Sequence, residues 1–426
     1  MLSSVFNTQA LRSRGASRLF FGQLVSQICD KMMSVGLVWI LVEQHQAHLI
    51  SWYLVLTSLP HLLLSWHGGR WIARWGEIKT LVGTDLVRGV LYALLAVFWG
   101  HLPPSLAWPA LLGVGFLANF ASALFNPALY SVPSRLAAPG TLEQLNSLLN
   151  SCFSLANVVG PFLAVLLYSR VALVGLLVAN SASYFLAALA ECRIPLPPLP
   201  AGDSGGDPTG SPPGQPSGTW SLIQSHPVVA TMLAGFLACN LFLAPLMVFL
   251  PLFTKEVYNG DIGLLGGFET AIGVGIAGGT LLLAFWHWEW PLNLKIRGAM
   301  LLVALAYLVF VSSHWAPLAI FILVLLGMGI AGTNVVAMTV FQTQVAPENI
   351  PVLMGLVNLI SVASLPFSLT VVGLLTDRVS ILHLGQACGL GLFLATIVVL
   401  QRSAIRHLTL PETNLVLPTA AKMETR

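Results

Sequence analysis

Twelve apolar runs divide the chain, and each is about as long as a helix that crosses a lipid bilayer. They cover residues 19–42, 49–67, 80–100, 109–132, 146–169, 171–192, 228–254, 263–285, 298–313, 317–340, 352–375 and 383–401. A helix of about 20 apolar residues spans the hydrocarbon core of a membrane. Charged residues make up only 8% of the chain, against roughly 25% in soluble domains. The runs therefore predict an all-α membrane protein with twelve transmembrane helices.

The composition changes once near the middle of the chain, between the sixth and seventh runs. Residues 193–227 are rich in proline, glycine and serine, which is typical of a flexible linker. We therefore expect five parts. They are a polar tail at 1–18, a six-helix bundle at 19–192, the linker at 193–227, a second bundle at 228–401 and a polar tail at 402–426.

The two bundles carry matching residues at a constant spacing. Asn126 recurs as Asn334, and Asn150 recurs as Asn358, each after 208 residues. Each match is weak alone, but several at one offset indicate an internal repeat. The pattern predicts two six-helix repeats of parallel topology, as in transporters whose halves are related by an axis along the membrane normal.

Basic residues are distributed unevenly between the two ends of the predicted spans. With both termini inside, 14 lysines and arginines fall on the cytoplasmic side. Three fall outside, namely Arg170, Lys255 and Arg378. Because short cytoplasmic loops are enriched in Lys and Arg, this asymmetry predicts that both termini and the linker face the cytoplasm. The expected location is the plasma (inner) membrane.

The connection between the second and third runs, at 68–79, is a short basic turn that contains glycines. Just beyond it, Asp85 and Arg88 are three residues apart and share one face of the next helix. We predict that this region forms a cytoplasmic gate; the alternative for the acid–base pair is a plain intrahelical salt bridge. The predicted gate residues are Gly69, Arg70, Arg74, Gly76, Asp85 and Arg88.

A few polar residues inside the predicted spans are candidates for binding substrate or protons. A charge that faces lipid costs about 3 kcal/mol or more, so we expect Asp30 and Glu269 to line a central cavity from opposite halves. The alternatives are a fixed interhelical ion pair for Asp30, next to Lys31, and a solvated helix end for Glu269. Gln27 and Asn240 are further candidates, although such groups often only form hydrogen bonds between helices.

Several motifs resemble those of the major facilitator superfamily. Residues 69–76 resemble the family's loop signature, with Ala73 where the family has an aspartate. The sequence FNPA at 125–128 resembles the fourth span of the macrolide-efflux and enterobactin-exporter-like branch. Gly160 and Pro161 resemble the core of the fifth-span antiporter motif.

This resemblance implies the major facilitator fold and secondary active transport by alternating access. In this branch it implies export of a small amphipathic or apolar compound, drug-like or siderophore-like, with proton coupling as one option. Two alternatives stay open at this point. One is a lysophospholipid-type flippase, and the other is a membrane scaffold or sensor that kept the fold without transporting.

The sequence contains no phosphate-binding loop, no Cys-x-x-Cys pair and no regular spacing of metal ligands. We therefore predict that the protein is not an enzyme and that it uses no cofactor and no metal. The expected partners are a small-molecule substrate, the lipid bilayer and protons. We expect no nucleic acid, because the basic residues lie in short loops and at the chain ends, and we expect a monomer.

Overall fold

The structure is a computed structural model, and it describes residues 13–44, 47–64, 68–136, 142–195, 224, 226–285, 290–345, 350–376 and 378–406. These residues form helices and short connections, with no strand among them. In chain order the helices are α1 (Arg14–Glu43), α2 (Ala47–Leu64), α3 (Gly68–Trp75), α4 (Glu77–Phe98), α5 (Pro104–Leu136), α6 (Leu142–Glu191), α7 (Pro227–Leu243), α8 (Leu246–Glu256), α9 (Ile262–Phe285), α10 (Leu292–Ser312), α11 (Ala316–Gln344), α12 (Ile350–Thr376), α13 (Ile381–Gln401) and α14 (Ser403–Arg406).

Ten of the described helical segments are long and apolar enough to cross a membrane. The predicted fold class, an all-α membrane protein, is confirmed. The longest helix, α6, has 50 residues and would extend about 75 Å at 1.5 Å per residue, twice the thickness of a bilayer. Its backbone leaves helical geometry at Ala172 (φ 50°, ψ −160°), the second residue of the run predicted as the sixth span. The exact count of twelve stays a prediction.

Residues 68–75, which the sequence suggested to be a turn, form the short helix α3. Ile72 is buried in a cluster with Leu81 and Leu129, whereas Arg74 on the same helix is exposed. The segment is helical because it has one apolar side to bury against α4 and α5. Gly76 then takes a positive φ of 85°, a conformation that favours glycine and lets the chain turn into α4.

The chain packs as an N-terminal half (α1–α6) and a C-terminal half (α7–α14). In the first half, α1 lies along α6, and α4 packs against α5 and α6. In the second half, α11 packs against α9 and α10, and α13 packs against α7 and α10. The main contacts between the halves join α2 to α12 and α6 to α9. The space between the halves is therefore bordered by helices of both.

Contacts between the halves gather at one end of the helices. A Cβ atom built on Gly373, near the end of α12, would lie 2.6 Å from the Cβ of Ser51, near the start of α2. Lys255, at the end of α8, lies 5.9 Å from the ring centre of Trp39, near the end of α1. We call this the closed end. The basic-residue count predicts that it faces outside.

Candidate functional site

A cavity of about 410 Å³ lies at the boundary between the two halves. Helices α1 and α6 border it from one side, and the C-terminal half supplies most of the lining. The lining is largely apolar. Its polar members are Lys31, Asn157, Asn240, Glu269, Thr333 and Asn334.

An ion pair crosses this cavity and joins the two halves. Lys31 Nζ on α1 donates a hydrogen bond to Glu269 Oε2 on α9 over 2.8 Å. The side chains are 28% and 25% exposed, so neither charge is sealed from the cavity. Opposite charges that lie in a partly open site attract each other while both stay available to a ligand.

Gly160 provides the space that Lys31 needs to reach its partner. A Cβ atom at this position would lie 2.7 Å from Lys31 Cβ and 3.1 Å from the carbonyl oxygen of Ile28. A larger residue on α6 would therefore displace the stem of Lys31. The neighbouring Pro161 is buried, and its carbonyl oxygen would lie 3.2 Å from a Cβ atom on Gly266 of α9. The structure thus places Gly160 and Pro161 where the halves approach each other.

Small residues on α9 determine which side of this helix faces the cavity. A Cβ atom on Gly273 would lie 2.6 Å from the carbonyl oxygen of Asn157 on α6. On another face, a Cβ atom on Gly275 would overlap the carbonyl oxygen of Val324 on α11. Because α9 is packed closely against α6 and α11, Glu269 is held at the cavity that lies between them.

Asp30 does not lie in the lining of this cavity, although the sequence suggested that it would. Its carboxylate accepts a hydrogen bond from the hydroxyl of Tyr184, and its Oδ2 lies 3.8 Å from Arg88 Nη1. The side chain is 29% exposed. Asp30 therefore belongs to a polar cluster inside the N-terminal half, one residue away from the ion pair of Lys31.

The two neutral candidates lie in different places. Asn240 lines the cavity, and its side-chain amide donates to the carbonyl of Phe236 over 2.9 Å. Gln27 donates a hydrogen bond to Gln23 Oε1 over 3.2 Å. This bond directs the side-chain amide of Gln27 along α1, towards the start of that helix.

Arg88 is the centre of the polar cluster in the N-terminal half. It is 2% exposed, forms an ion pair with Asp85, and donates to Ser122 Oγ over 3.3 Å. Its guanidinium carbon lies 4.2 Å from the ring centre of Phe125 and 4.4 Å from that of Tyr184. Such cation–π contacts partly replace the water that a buried guanidinium has lost.

Glu191, at the end of α6, is a functional candidate that the sequence reasoning missed. It is fully buried and accepts a hydrogen bond from Gln23 Nε2 over 2.7 Å, while its Oε2 has no hydrogen-bond partner among the described residues. Its charge interacts with those of Asp85 and Arg88. The only signal in the sequence was an acid placed just inside the end of an apolar run.

We call Asp30, Asp85 and Glu191, together with Arg88, the acid cluster. The carboxyl groups of Asp30 and Asp85 lie against the Arg88 guanidinium, and Glu191 lies close enough for its charge to act on Asp85 and Arg88. Oδ2 of Asp85, which is also fully buried, has no hydrogen-bond partner among the described residues. The cluster therefore holds more acid than its own cation can neutralise.

The predicted cytoplasmic gate has a different arrangement in the structure. Asp85 and Arg88 form the intrahelical ion pair that was the alternative, and Arg88 reaches Asp30 inside the helix bundle. Arg74 is exposed on α3. The surroundings of Gly69 and the side chain of Arg70 lie outside the described part of the structure, and a gating role for the turn stays a prediction.

Two packed halves of membrane-length helices with a cavity between them are typical of secondary transporters. The chain belongs to the Major Facilitator Superfamily, whose family model matches residues 19–369. This membership indicates a multi-pass transporter of small molecules and not an enzyme, as the sequence predicted.

Two curated relatives cover most of the chain at low identity. Macrolide efflux protein A of Streptococcus pyogenes is 23% identical over 398 residues, which are 92% of this chain and 96% of that protein. Macrolide efflux protein A of Enterococcus faecalis is 22% identical over 320 residues, or 74% of this chain and 97% of that protein. The resemblance to the macrolide-efflux branch is confirmed at this level.

Solved structures share the fold over nearly the whole chain. A bacterial homologue of the iron transporter ferroportin, in an inward-facing state, has a TM-score of 0.69 and 16% identity, and covers 93% of this chain and 100% of its own. The POT family transporter PepTSo has a TM-score of 0.66 and 11% identity, and the match covers 92% of this chain and 99% of that one. At these identities the likeness concerns the fold alone.

Proposed function

We propose that the protein is a secondary active exporter of a small amphipathic organic compound, and that the cavity at Lys31 and Glu269 binds this compound during alternating access. The cavity between the halves is the observation that carries the proposal. Its volume of about 410 Å³ lies within the usual range of small-ligand pockets, roughly 300–1,000 Å³. Its apolar lining suits a hydrophobic skeleton, and its few polar groups suit a substrate with one or two polar substituents.

The chemistry of the lining favours an organic substrate over a metal ion. Among the lining residues, Glu269 supplies one carboxylate and Cys239 supplies one thiol. Transition metals in proteins generally take three or four such ligands. Among the described residues, no group of three or more His, Cys, Asp or Glu is arranged to hold a metal ion. Macrolides, named in the curated relatives, are the first compounds to test.

We infer that export is coupled to protons through the acid cluster. If all three carboxyl groups were ionised, Arg88 would neutralise one and leave two negative charges inside the helix bundle. An uncompensated charge in this position is costly, so proton binding by the cluster lowers the free energy of the structure. Asp30 in the cluster and Lys31 at the cavity are consecutive on α1, which gives a direct connection between proton and substrate sites.

The family and the curated bacterial relatives support a location in the plasma (inner) membrane. The basic-residue asymmetry supports an orientation with both termini and the 193–227 linker in the cytoplasm. The protein works as a monomer, since one chain contributes both borders of the cavity. A lysophospholipid-type flippase and a scaffold without transport receive no support from the relatives.

Flux measurements in proteoliposomes test the proposed function. Radiolabelled erythromycin is loaded into vesicles that contain the purified protein, and its movement is followed with and without a pH gradient. We expect transport above that of protein-free vesicles, increased by a gradient that drives protons in the opposite direction. Folded protein that moves neither erythromycin nor other amphipathic drugs under either condition would refute the proposal.

A further inference from the structure

We propose that the Lys31–Glu269 ion pair, here called the bridge, holds the closed end shut while the cavity is empty, and that a substrate with a basic amine opens it by taking Glu269. The substrate class rests on the proposed function, whereas the role of the bridge in closure does not. The bridge has no counterpart among the predictions made from sequence. If Glu269 is the group that the substrate takes, a cationic amine is the feature by which this transporter recognises its substrate.

The position of the bridge ties it to one conformation. Lys31 belongs to the N-terminal half and Glu269 to the C-terminal half. Glu269 lies seven residues into α9, which begins at the closed end, so the bridge is about 10 Å inside that end. Opening the closed end moves α9 away from α1 and α6 and lengthens the 2.8 Å distance between Nζ and Oε2. The bridge therefore stabilises only the state in which this end is shut.

The exposure of the pair makes it responsive to a ligand. Both side chains are about a quarter exposed, on the cavity side. A bound ammonium group competes with Lys31 for Glu269, whereas an uncharged group gains little by replacing a charged partner. The released Lys31 ammonium can be hydrated in the cavity. Amide groups of Asn157 and Asn240 offer hydrogen bonds to uncharged parts of the same molecule.

Ser51 provides a reporter for the closed end. It is 2% exposed at the contact with Gly373, and its hydroxyl has no hydrogen-bond partner among the described residues. Ser51→Cys therefore changes little in the closed state and becomes reactive when the end opens. The purified variant is placed in nanodiscs and treated with a charged methanethiosulfonate reagent, and the peptide that contains residue 51 is quantified by mass spectrometry.

Removing the bridge should raise the rate of modification at position 51. We expect Glu269→Gln and Lys31→Met each to increase it at least about threefold, as for loss of a partly exposed ion pair. The charge-swapped double variant Lys31→Glu/Glu269→Lys should return the rate towards the starting value. The matched control is Glu77→Gln, which removes an ion pair with Arg135 inside the N-terminal half, and it should leave the rate unchanged.

Two ligands that differ in the charge of their amine test whether a cationic amine opens the closed end. We expect erythromycin, whose amino sugar is cationic at neutral pH, to raise the rate, and its uncharged N-oxide to have little effect. In Glu269→Gln, erythromycin should add nothing further. An equal increase in the rate with erythromycin and with its N-oxide would overturn the role of the amine.

The two proposals fail in distinguishable ways. If Glu269→Gln and Lys31→Met leave position 51 as unreactive as Glu77→Gln does, the bridge does not hold the closed end, even where erythromycin is transported. If bridge variants raise the rate and neither ligand does, the bridge stands and the macrolide substrate is wrong. If Lys31→Met or Glu269→Gln does not fold, the charge-swapped double variant decides the question. Folded protein with a low rate of modification at position 51 then requires that residues 31 and 269 pair.

Discussion

At the scale of single residues, α1 separates two neighbouring charges into different environments. Consecutive positions on a helix point about 100° apart. Asp30 accordingly contacts Tyr184 and Arg88 inside the N-terminal half, whereas Lys31 reaches Glu269 across the cavity. The sequence could predict this divergence. It could not predict the partners, because Lys31 and Glu269 are 238 residues apart.

Replacing Arg88 tests whether the acid cluster needs its cation. Arg88→Met should lower the free energy of unfolding by about 3 kcal/mol, because it leaves a buried Asp85 carboxylate without its charged partner. Thermal unfolding of the detergent-solubilised protein measures the effect. Arg135→Met is the control, since its ion pair with Glu77 is partly exposed and should cost less than about 1 kcal/mol. Equal unfolding temperatures for the two variants would contradict the argument.

Glu191→Gln tests proton coupling at a residue that does not line the cavity. The substitution keeps the shape and the hydrogen bond with Gln23 but removes one proton-binding group. We expect flux without a pH gradient to persist, and the increase caused by the gradient to fall severalfold. Glu77→Gln should keep the full increase. A normal response to the gradient in Glu191→Gln would mean that Glu191 takes no part in coupling.

At the scale of elements, the glycines of α9 are not equivalent. The sequence has small residues every four positions on this helix, which predicts close packing against a neighbour. In the structure Gly275 and Gly279 meet the backbone of α11, but nothing lies within 4 Å of a Cβ atom built on Gly267. The pattern thus predicts that a helix approaches closely, and the tertiary structure decides which glycines it touches.

Two substitutions on α9 separate packing from helix propensity. Gly275→Ala should destabilise the protein by about 1–3 kcal/mol, because the methyl group overlaps the carbonyl of Val324 and the helices must move apart. Gly278→Ala adds the same methyl group where nothing lies within 4 Å. We expect it to be neutral or slightly stabilising. A thermal unfolding series in which both variants behave alike would show that α9 and α11 are not packed as described.

At the scale of the whole molecule, the sequence predicts the class of fold well and the site only in part. Apolar runs of bilayer length are a strong signal, since a membrane leaves the backbone few alternatives to helices. The cost of a charge that faces lipid predicts that Glu269 lies at a cavity. The closed end, the bridge and the burial of Glu191 depend on how distant helices meet, and a single sequence does not contain that geometry.

Orientation in the membrane is a whole-chain property that rests on the uneven distribution of basic residues. Ser211 lies in the linker, outside the described residues. In Ser211→Cys, an impermeant thiol reagent added to intact cells should leave the new cysteine unmodified and should react after the membrane is permeabilised. Because Cys192 is exposed, modification has to be assigned to the peptide that contains residue 211. Labelling of that peptide in intact cells would show that the linker faces outside and that the proposed orientation is wrong.

Counterflow tests most directly whether the cavity is a transport site that is reached from alternate sides. Proteoliposomes are preloaded with unlabelled erythromycin and diluted into a trace of labelled erythromycin, without an ion gradient. A carrier that exchanges one molecule for another should accumulate label transiently above its equilibrium level and then lose it. Entry of label no faster than into protein-free vesicles, with protein shown to be folded, would contradict the account.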